Sequence, residues 1–175
     1  MIRSLLAALA LAGAVPAQAA CLTNAEAESL TLVAMPDLIR QTGAACAQRL
    51  PAGSLLRRSN TPFFQRYDAE ANRAWPAAQA ALAKLSDPAI EPLLQSQFAR
   101  PLLSTMLVPM VLGTIDPADC GTIDRLATLL EPLPPRNTAG IVVTTLQYLK
   151  AEKAKAKRGA IVQDIPDLPL CAAQR

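Results

Sequence analysis

The first twenty residues constrain the fold most, because they predict the compartment in which the chain folds. A cation at Arg3 precedes an apolar run over residues 5–15 and an A-x-A sequence at residues 17–19. This order is typical of a secretory signal peptide. We expect a signal peptide over residues 1–19, cleaved after Ala19 or Ala20, and a periplasmic or secreted mature protein.

Four cysteines follow this segment, and an even number in an exported chain predicts two disulfides. Their spacing contains no C-x-x-C, so it indicates neither a redox dithiol nor a zinc site. Four cysteines allow three pairings, and we expect Cys21–Cys46 together with Cys120–Cys171. The proline midway between the first two would bend the chain back, and two antiparallel helices near the C-terminus would bring the tail to Cys120.

Cys21 also follows small residues directly, as the acylated cysteine of a bacterial lipoprotein does. Gln18 stands where such a signal carries an aliphatic residue, so a lipid anchor at Cys21 is not expected. Residues 101–115 are uncharged, but they contain two prolines and are shorter than the about twenty apolar residues that a membrane-spanning helix needs. We therefore predict no transmembrane segment.

The composition is rich in alanine and leucine, the strongest helix formers, and most of the prolines stand where helices begin. We predict an all-α, single-domain irregular helical bundle of about five to seven helices, several kinked or started by proline, held by two disulfides. The helical domain would occupy residues 20–159, and residues 160–175 would form an extended tail tied down through Cys171.

Hydrophobic spacing and capping residues place the individual helices. The first would begin near Thr23 and either kink or restart at Pro36. Apolar side chains three and four positions apart predict a helix over residues 61–85 that continues through Pro76. A further helix would run from Asp87-Pro88 to about Ala99, and others would begin at Pro101, Asp116-Pro117 and Asn137. The uncharged residues 101–115 would form the most buried of them.

The absence of histidine removes several classes of chemistry: Ser-His-Asp and Cys-His nucleophiles, histidine bases and imidazole metal sites. No G-x-S-x-G sequence, phosphate loop, dinucleotide fingerprint or calcium loop occurs either. The remaining acid–base candidates are mainly carboxylates, notably Asp116, Asp119, Asp124, Asp164 and Asp167. The first three read as helix caps, so we predict no catalytic residue, no metal site and no cofactor.

Two groups of cations are the candidates for binding. Arg58, Arg66 and Arg73 could form an anion site if the loop before the second helix folded back onto it. Arg66, Glu70 and Arg73 would otherwise form an exposed ladder of ion pairs. The basic stretch over residues 150–158 is explained by the negative end of a helix dipole. Because no aromatic residue is interleaved for base stacking, nucleic acid is not expected as a partner.

These observations lead to an exported bacterial envelope protein that is a non-catalytic helical binding or structural domain. Its partner would be an unknown protein or envelope component. Two alternatives remain open at this point. One is a carboxylate-dependent hydrolase of envelope polymers, and the other is a lipid-anchored or lipid-handling protein.

Overall fold

The computed structural model describes residues 21–58, 60–112, 115–155 and 169–171, and within residues 107–112 it describes the backbone only. The predicted signal peptide lies outside the described residues, as does most of the predicted tail. The described residues contain helices and no strand. The prediction of an all-α bundle with five to seven helices and two disulfides is confirmed.

Six α-helices make up the described part of the chain. They are α1 (Asn24–Ala45), α2 (Pro62–Leu85), α3 (Glu91–Leu94), α4 (Ala99–Leu112), α5 (Cys120–Leu130) and α6 (Pro135–Lys155). Three short 3-10 turns, at Leu55–Arg57, Pro88–Ile90 and Pro117–Asp119, precede α2, α3 and α5.

The core lies between α1 and α2, which pack along each other, while α4 and α6 both contact α1. From α2, Phe63 packs edge-on against Phe64 and Tyr67, with ring centroids 5.3 and 4.9 Å apart. Leu32 and Val33 of α1 pack in the same cluster. The predicted helix over residues 61–85 is therefore present and carries the aromatic core.

A capping box fixes the start of α1. The Thr23 side chain accepts from the Glu26 N–H, and the Glu26 carboxylate accepts from the Thr23 N–H. These bonds satisfy backbone donors that the first helical turn leaves without partners. Lys84, at the end of α2, donates to the same carboxylate at 2.9 Å. The first turn of α1 is thereby joined to the last turn of α2.

The predicted disulfide pairing is wrong. The structure pairs Cys21 with Cys171 and Cys46 with Cys120, rather than Cys21 with Cys46 and Cys120 with Cys171. The chain does not turn back at Pro36, because α1 continues through this buried proline as one helix. Cys21 and Cys46 therefore lie beyond opposite ends of α1.

Cys171 is held to the start of the helical domain by more than its disulfide. The Cys171 N–H donates to the Leu22 carbonyl at 2.9 Å, and the Leu22 N–H donates to the Pro169 carbonyl at 2.7 Å. Leu22 and Leu170 are buried side by side against Ala27, Ala81 and Val143. Residues 169–171 therefore close the end of the bundle where α1 begins.

Three other expectations for individual helices are corrected. The described part of α4 is peripheral rather than central, since Leu102 and Met106 are 42% and 64% exposed. The helix after Asp87-Pro88 ends at Leu94 instead of continuing to about residue 99. Asn137 lies inside α6, which begins at Pro135. Among the described residues, no helix is both long and apolar enough to cross a membrane.

Candidate functional site

An apolar groove opens between α1, α2 and α5, with a volume of about 190 Å³. The α1 wall consists of Met35, Leu38, Ile39 and Thr42, and the α5 wall consists of Ile123, Leu126, Ala127 and Leu130. The four α5 residues stand at i, i+3, i+4 and i+7, the spacing that places side chains on one face of a helix. The groove therefore lies between the apolar face of α5 and the residues of α1 and α2 that it faces.

Two residues that line the groove are joined by a hydrogen bond between their hydroxyl groups. The Tyr67 hydroxyl of α2 donates to Thr138 Oγ1 of α6 at 3.2 Å, and both residues line the groove and are buried. Burial raises the pKa of Tyr67 above its usual value, which keeps this phenol neutral. The Tyr67 oxygen retains acceptor capacity beyond the bond that it donates.

Three ties outside the groove hold α5 in place. The Cys46–Cys120 disulfide fixes its first residue to the chain just after α1. The Ser54 hydroxyl donates to the Asp124 carboxylate near its middle, and Arg66 donates to the Glu131 carbonyl just after its end at 2.9 Å. Cys120 is the one residue of α5 that is fully buried. These links attach α5 to the rest of the bundle at its start, near its middle and just after its end.

The three candidate arginines have separate acceptors. Arg58 donates to the Ser54 carbonyl at 3.4 Å, Arg66 to the Glu131 carbonyl, and Arg73 pairs with Glu70. Glu70 also accepts from Arg136 of α6 at 3.0 Å. The expected ladder is therefore present only between Glu70 and Arg73. Arg66 instead anchors the turn after α5.

The carboxylates near α5 act on the protein's own backbone and side chains. Asp116 accepts from the Ala118 N–H at 2.8 Å, as expected of a cap, and Asp124 accepts from Ser54. Asp119 precedes α5 directly. Asp164 and Asp167 lie outside the described residues. In the described part of the chain, no group of three or more acidic or cysteine side chains could hold a metal ion.

The basic stretch is described as far as Lys155, which pairs with Glu152 at 2.8 Å. This pairing raises the pKa of Lys155 above its usual value. Lys157 and Arg158 lie outside the described residues. Within the described part, the stretch forms the last turn of α6, where cations complement the helix dipole.

A second apolar surface runs along α3 and the start of α4. Phe98, Leu102 and Met106 follow each other four positions apart, and each is more than two-fifths exposed. Ile90, in the turn before α3, and Leu93, in α3, are also exposed. Exposed apolar side chains that adjoin in this way are typical of surfaces that contact other molecules.

Sequence reasoning missed the groove. The spacing of Ile123, Leu126 and Leu130 signals an apolar face but does not reveal that this face is only partly covered. No family model matches the chain, and neither the curated proteins nor the solved structures include one that is significantly similar to it.

Proposed function

We propose that this protein is an exported helical binding domain whose groove between α1, α2 and α5 binds a small apolar molecule. The observation that carries the proposal is the apolar volume of about 190 Å³ beside the buried hydroxyl pair of Tyr67 and Thr138. Water binds poorly in an apolar cavity of this kind, because a water molecule needs two to four polar partners.

The volume limits the size of the ligand. A cavity of about 150 Å³ lined by apolar side chains binds benzene, whereas drug-sized ligands occupy pockets of about 300–1,000 Å³. A single aromatic ring or a short alkyl chain matches the groove.

Export is supported by the sequence of the first twenty residues and by the two disulfides. Cleavage after Ala19 or Ala20 would leave a mature chain that starts at, or one residue before, Cys21, which is bound to Cys171. Disulfides persist in oxidising compartments such as the periplasm and the extracellular space. On protein from its native cell, intact mass tests this directly: an N-terminus at Ala20 or Cys21 is expected, and retained Met1 contradicts it.

The two alternatives have less support. A lipid anchor would need the sulfur of Cys21, and this atom is bonded to Cys171. A hydrolase that uses two carboxylates needs one with a raised pKa. The pKa of Glu26 is instead lowered to about 2, first by the backbone N–H of Thr23 and then by Lys84. Asp116 accepts from the Ala118 N–H and Asp124 accepts from the Ser54 hydroxyl, so both carboxylates already have partners within the protein.

Titration with benzene, phenol, indole and hexanoate, followed by NMR of the methyl groups, tests the groove. We expect saturable shifts at Leu126 and Ile39. Ala127→Leu places a larger side chain in the groove and should weaken binding at least about tenfold, which is about 1.4 kcal/mol.

Ala80→Leu is the matched control, because it makes the same change at an exposed position of α2. It should leave the affinities unchanged. The proposal is wrong if none of the four compounds shifts the groove resonances at millimolar concentration. It is also wrong if Ala127→Leu binds them as the natural sequence does.

A further inference from the structure

The two disulfides lie at opposite ends of α1. Cys21 and Cys171 are joined just before this helix, with their Cα atoms 4.9 Å apart, and Cys46 and Cys120 are joined just after it, at 5.6 Å. The helix has 22 residues. At about 1.5 Å per residue, it separates the two disulfides by about 33 Å.

This separation makes both non-native pairings incompatible with the packed bundle, because each of their four bonds (Cys21–Cys46, Cys120–Cys171, Cys21–Cys120 and Cys46–Cys171) would join opposite ends of α1. A disulfide requires Cα atoms within about 7 Å of each other. Cys21–Cys46 would join the two ends of α1 directly. Cys120–Cys171 would join two residues that are each fixed beside a different end of it.

The unfolded chain favours a different pairing. Cys21 and Cys46 are 25 residues apart in the sequence, whereas Cys21 and Cys171 are 150 apart. Loop-closure probability falls roughly as the −3/2 power of loop length, so the unfolded chain forms Cys21–Cys46 about fifteen times as often as Cys21–Cys171. Translocation from the N-terminus strengthens this bias, because Cys46 emerges long before Cys171.

We infer that the chain passes through a form with consecutive cysteines paired, and that a thiol–disulfide isomerase is a partner of this chain during its maturation. The inference rests on the proposed export, since it needs an oxidising compartment. The non-native form contains Cys21–Cys46 and Cys120–Cys171. It cannot complete α1, so the segments that form the aromatic core stay exposed.

The exchange needs no net oxidant. The isomerase thiolate attacks Cys21, forming a mixed disulfide and releasing the Cys46 thiolate. The Cys46 thiolate attacks Cys120, which forms Cys46–Cys120 and releases the Cys171 thiolate. The Cys171 thiolate attacks Cys21, which forms Cys21–Cys171 and returns the isomerase thiolate. Two disulfides are present before and after, and every leaving group is a thiolate.

Oxidation of the reduced, unfolded full chain by a dithiol oxidase, without other thiols, tests the inference. Samples are quenched with an alkylating agent, and the disulfides are mapped on proteolytic peptides. We expect Cys21–Cys46 to exceed Cys21–Cys171 about tenfold at early times. A catalytic amount of reduced isomerase should then raise the rate of formation of the native pairs at least about tenfold.

The double variant Cys21→Ser/Cys171→Ser is the matched control, because it leaves only Cys46 and Cys120. Formation of their disulfide should not respond to the isomerase, and the peptide map detects it whether or not the variant folds. The inference is overturned if the oxidase alone gives native pairs first, if the isomerase does not change the rate, or if the control responds equally. A failure of export would appear separately, as retained Met1 and alkylatable thiols in the native cell.

Discussion

Because Gly43 has no side chain, α1 can pack closely against the chain at one end of the groove. A Cβ atom at this position would collide with the carbonyl oxygen of Leu56, in the 3-10 turn that follows α1. Leu56 lines the groove and packs against Cys46 and Cys120. The close approach of α1 to this turn therefore helps to position the second disulfide.

Gly43→Ala should destabilise the protein by about 1–3 kcal/mol, because backbone atoms must move to admit the methyl group. Thermal unfolding followed by the fluorescence of Trp75 measures the effect. Gly140→Ala in α6 is the matched control, since its Cβ would meet only the end of the Glu28 side chain at 3.6 Å. Helix propensity predicts that this control gains about 0.5–1 kcal/mol. Equal effects of both substitutions would contradict the packing argument.

Glu26 makes stability depend on pH. Its pKa is lowered to about 2 in the folded protein from 4.5, mainly by the N–H of Thr23 and then by Lys84 and the Thr23 hydroxyl. The unfolded chain therefore binds more protons between these values. Stability from this carboxylate is present above pH 4.5 and is lost as the pH falls towards 2.

Glu26→Gln should reduce the fall in melting temperature between pH 5 and about pH 2. It should also lower the melting temperature at pH 7, because the charged cap and its contact with Lys84 are lost. Glu91→Gln, at an exposed carboxylate of α3, should retain the acid sensitivity of the natural sequence. If both variants lose stability in acid as the natural protein does, Glu26 is not the group responsible.

At the scale of whole helices, the position of α5 depends on the Cys46–Cys120 disulfide and on the hydrogen bonds from Ser54 and Arg66. The double variant Cys46→Ala/Cys120→Ala removes a disulfide with a sequence separation of 74, and we expect a loss of about 2–5 kcal/mol. Amide hydrogen exchange should accelerate more in α5 than in α2, whose aromatic side chains remain buried. Uniform acceleration across both helices would contradict the idea that α5 is held mainly from outside the groove.

Helices with a clear amphipathic pattern were predictable from the sequence. The aromatic and alanine stripe of α2 gave its length correctly, even across Pro76, and Thr23 and Asp116 cap backbone N–H groups as expected. The position of α4 was not predictable in the same way. Its residues are apolar on most sides, so the pattern contains no information about which side faces the core.

The predicted pairing of the cysteines depended on the bend expected at Pro36. A proline inside a helix costs about 3 kcal/mol in isolation, which is why a bend at Pro36 was a reasonable expectation. In the folded protein Leu32, Val33 and Met35 pack into the core on the same stretch of α1. We attribute the continuity of α1 to this packing, which local sequence does not record. The groove is non-local for the same reason, since it is a gap between three helices.

In the molecule as a whole, the two disulfides stabilise opposite ends of the bundle. One fixes residues 169–171 beside the start of α1, and the other fixes α5 beside its finish. The aromatic core lies between them and is buried without any covalent link of its own. The helical domain is thus closed at one end and is left with an apolar opening along α5 near the other.

The Cys21–Cys171 bond also has a mechanical consequence. Tension applied between the N-terminus of the mature chain, at or next to Cys21, and the chain after Cys171 passes through this disulfide and does not reach the helices between the two cysteines. Such a domain would lengthen by almost nothing when pulled in an oxidising medium. After reduction of that bond, the same pull would act on Leu22 and Leu170 first and would then unravel the bundle from the end at which α1 begins.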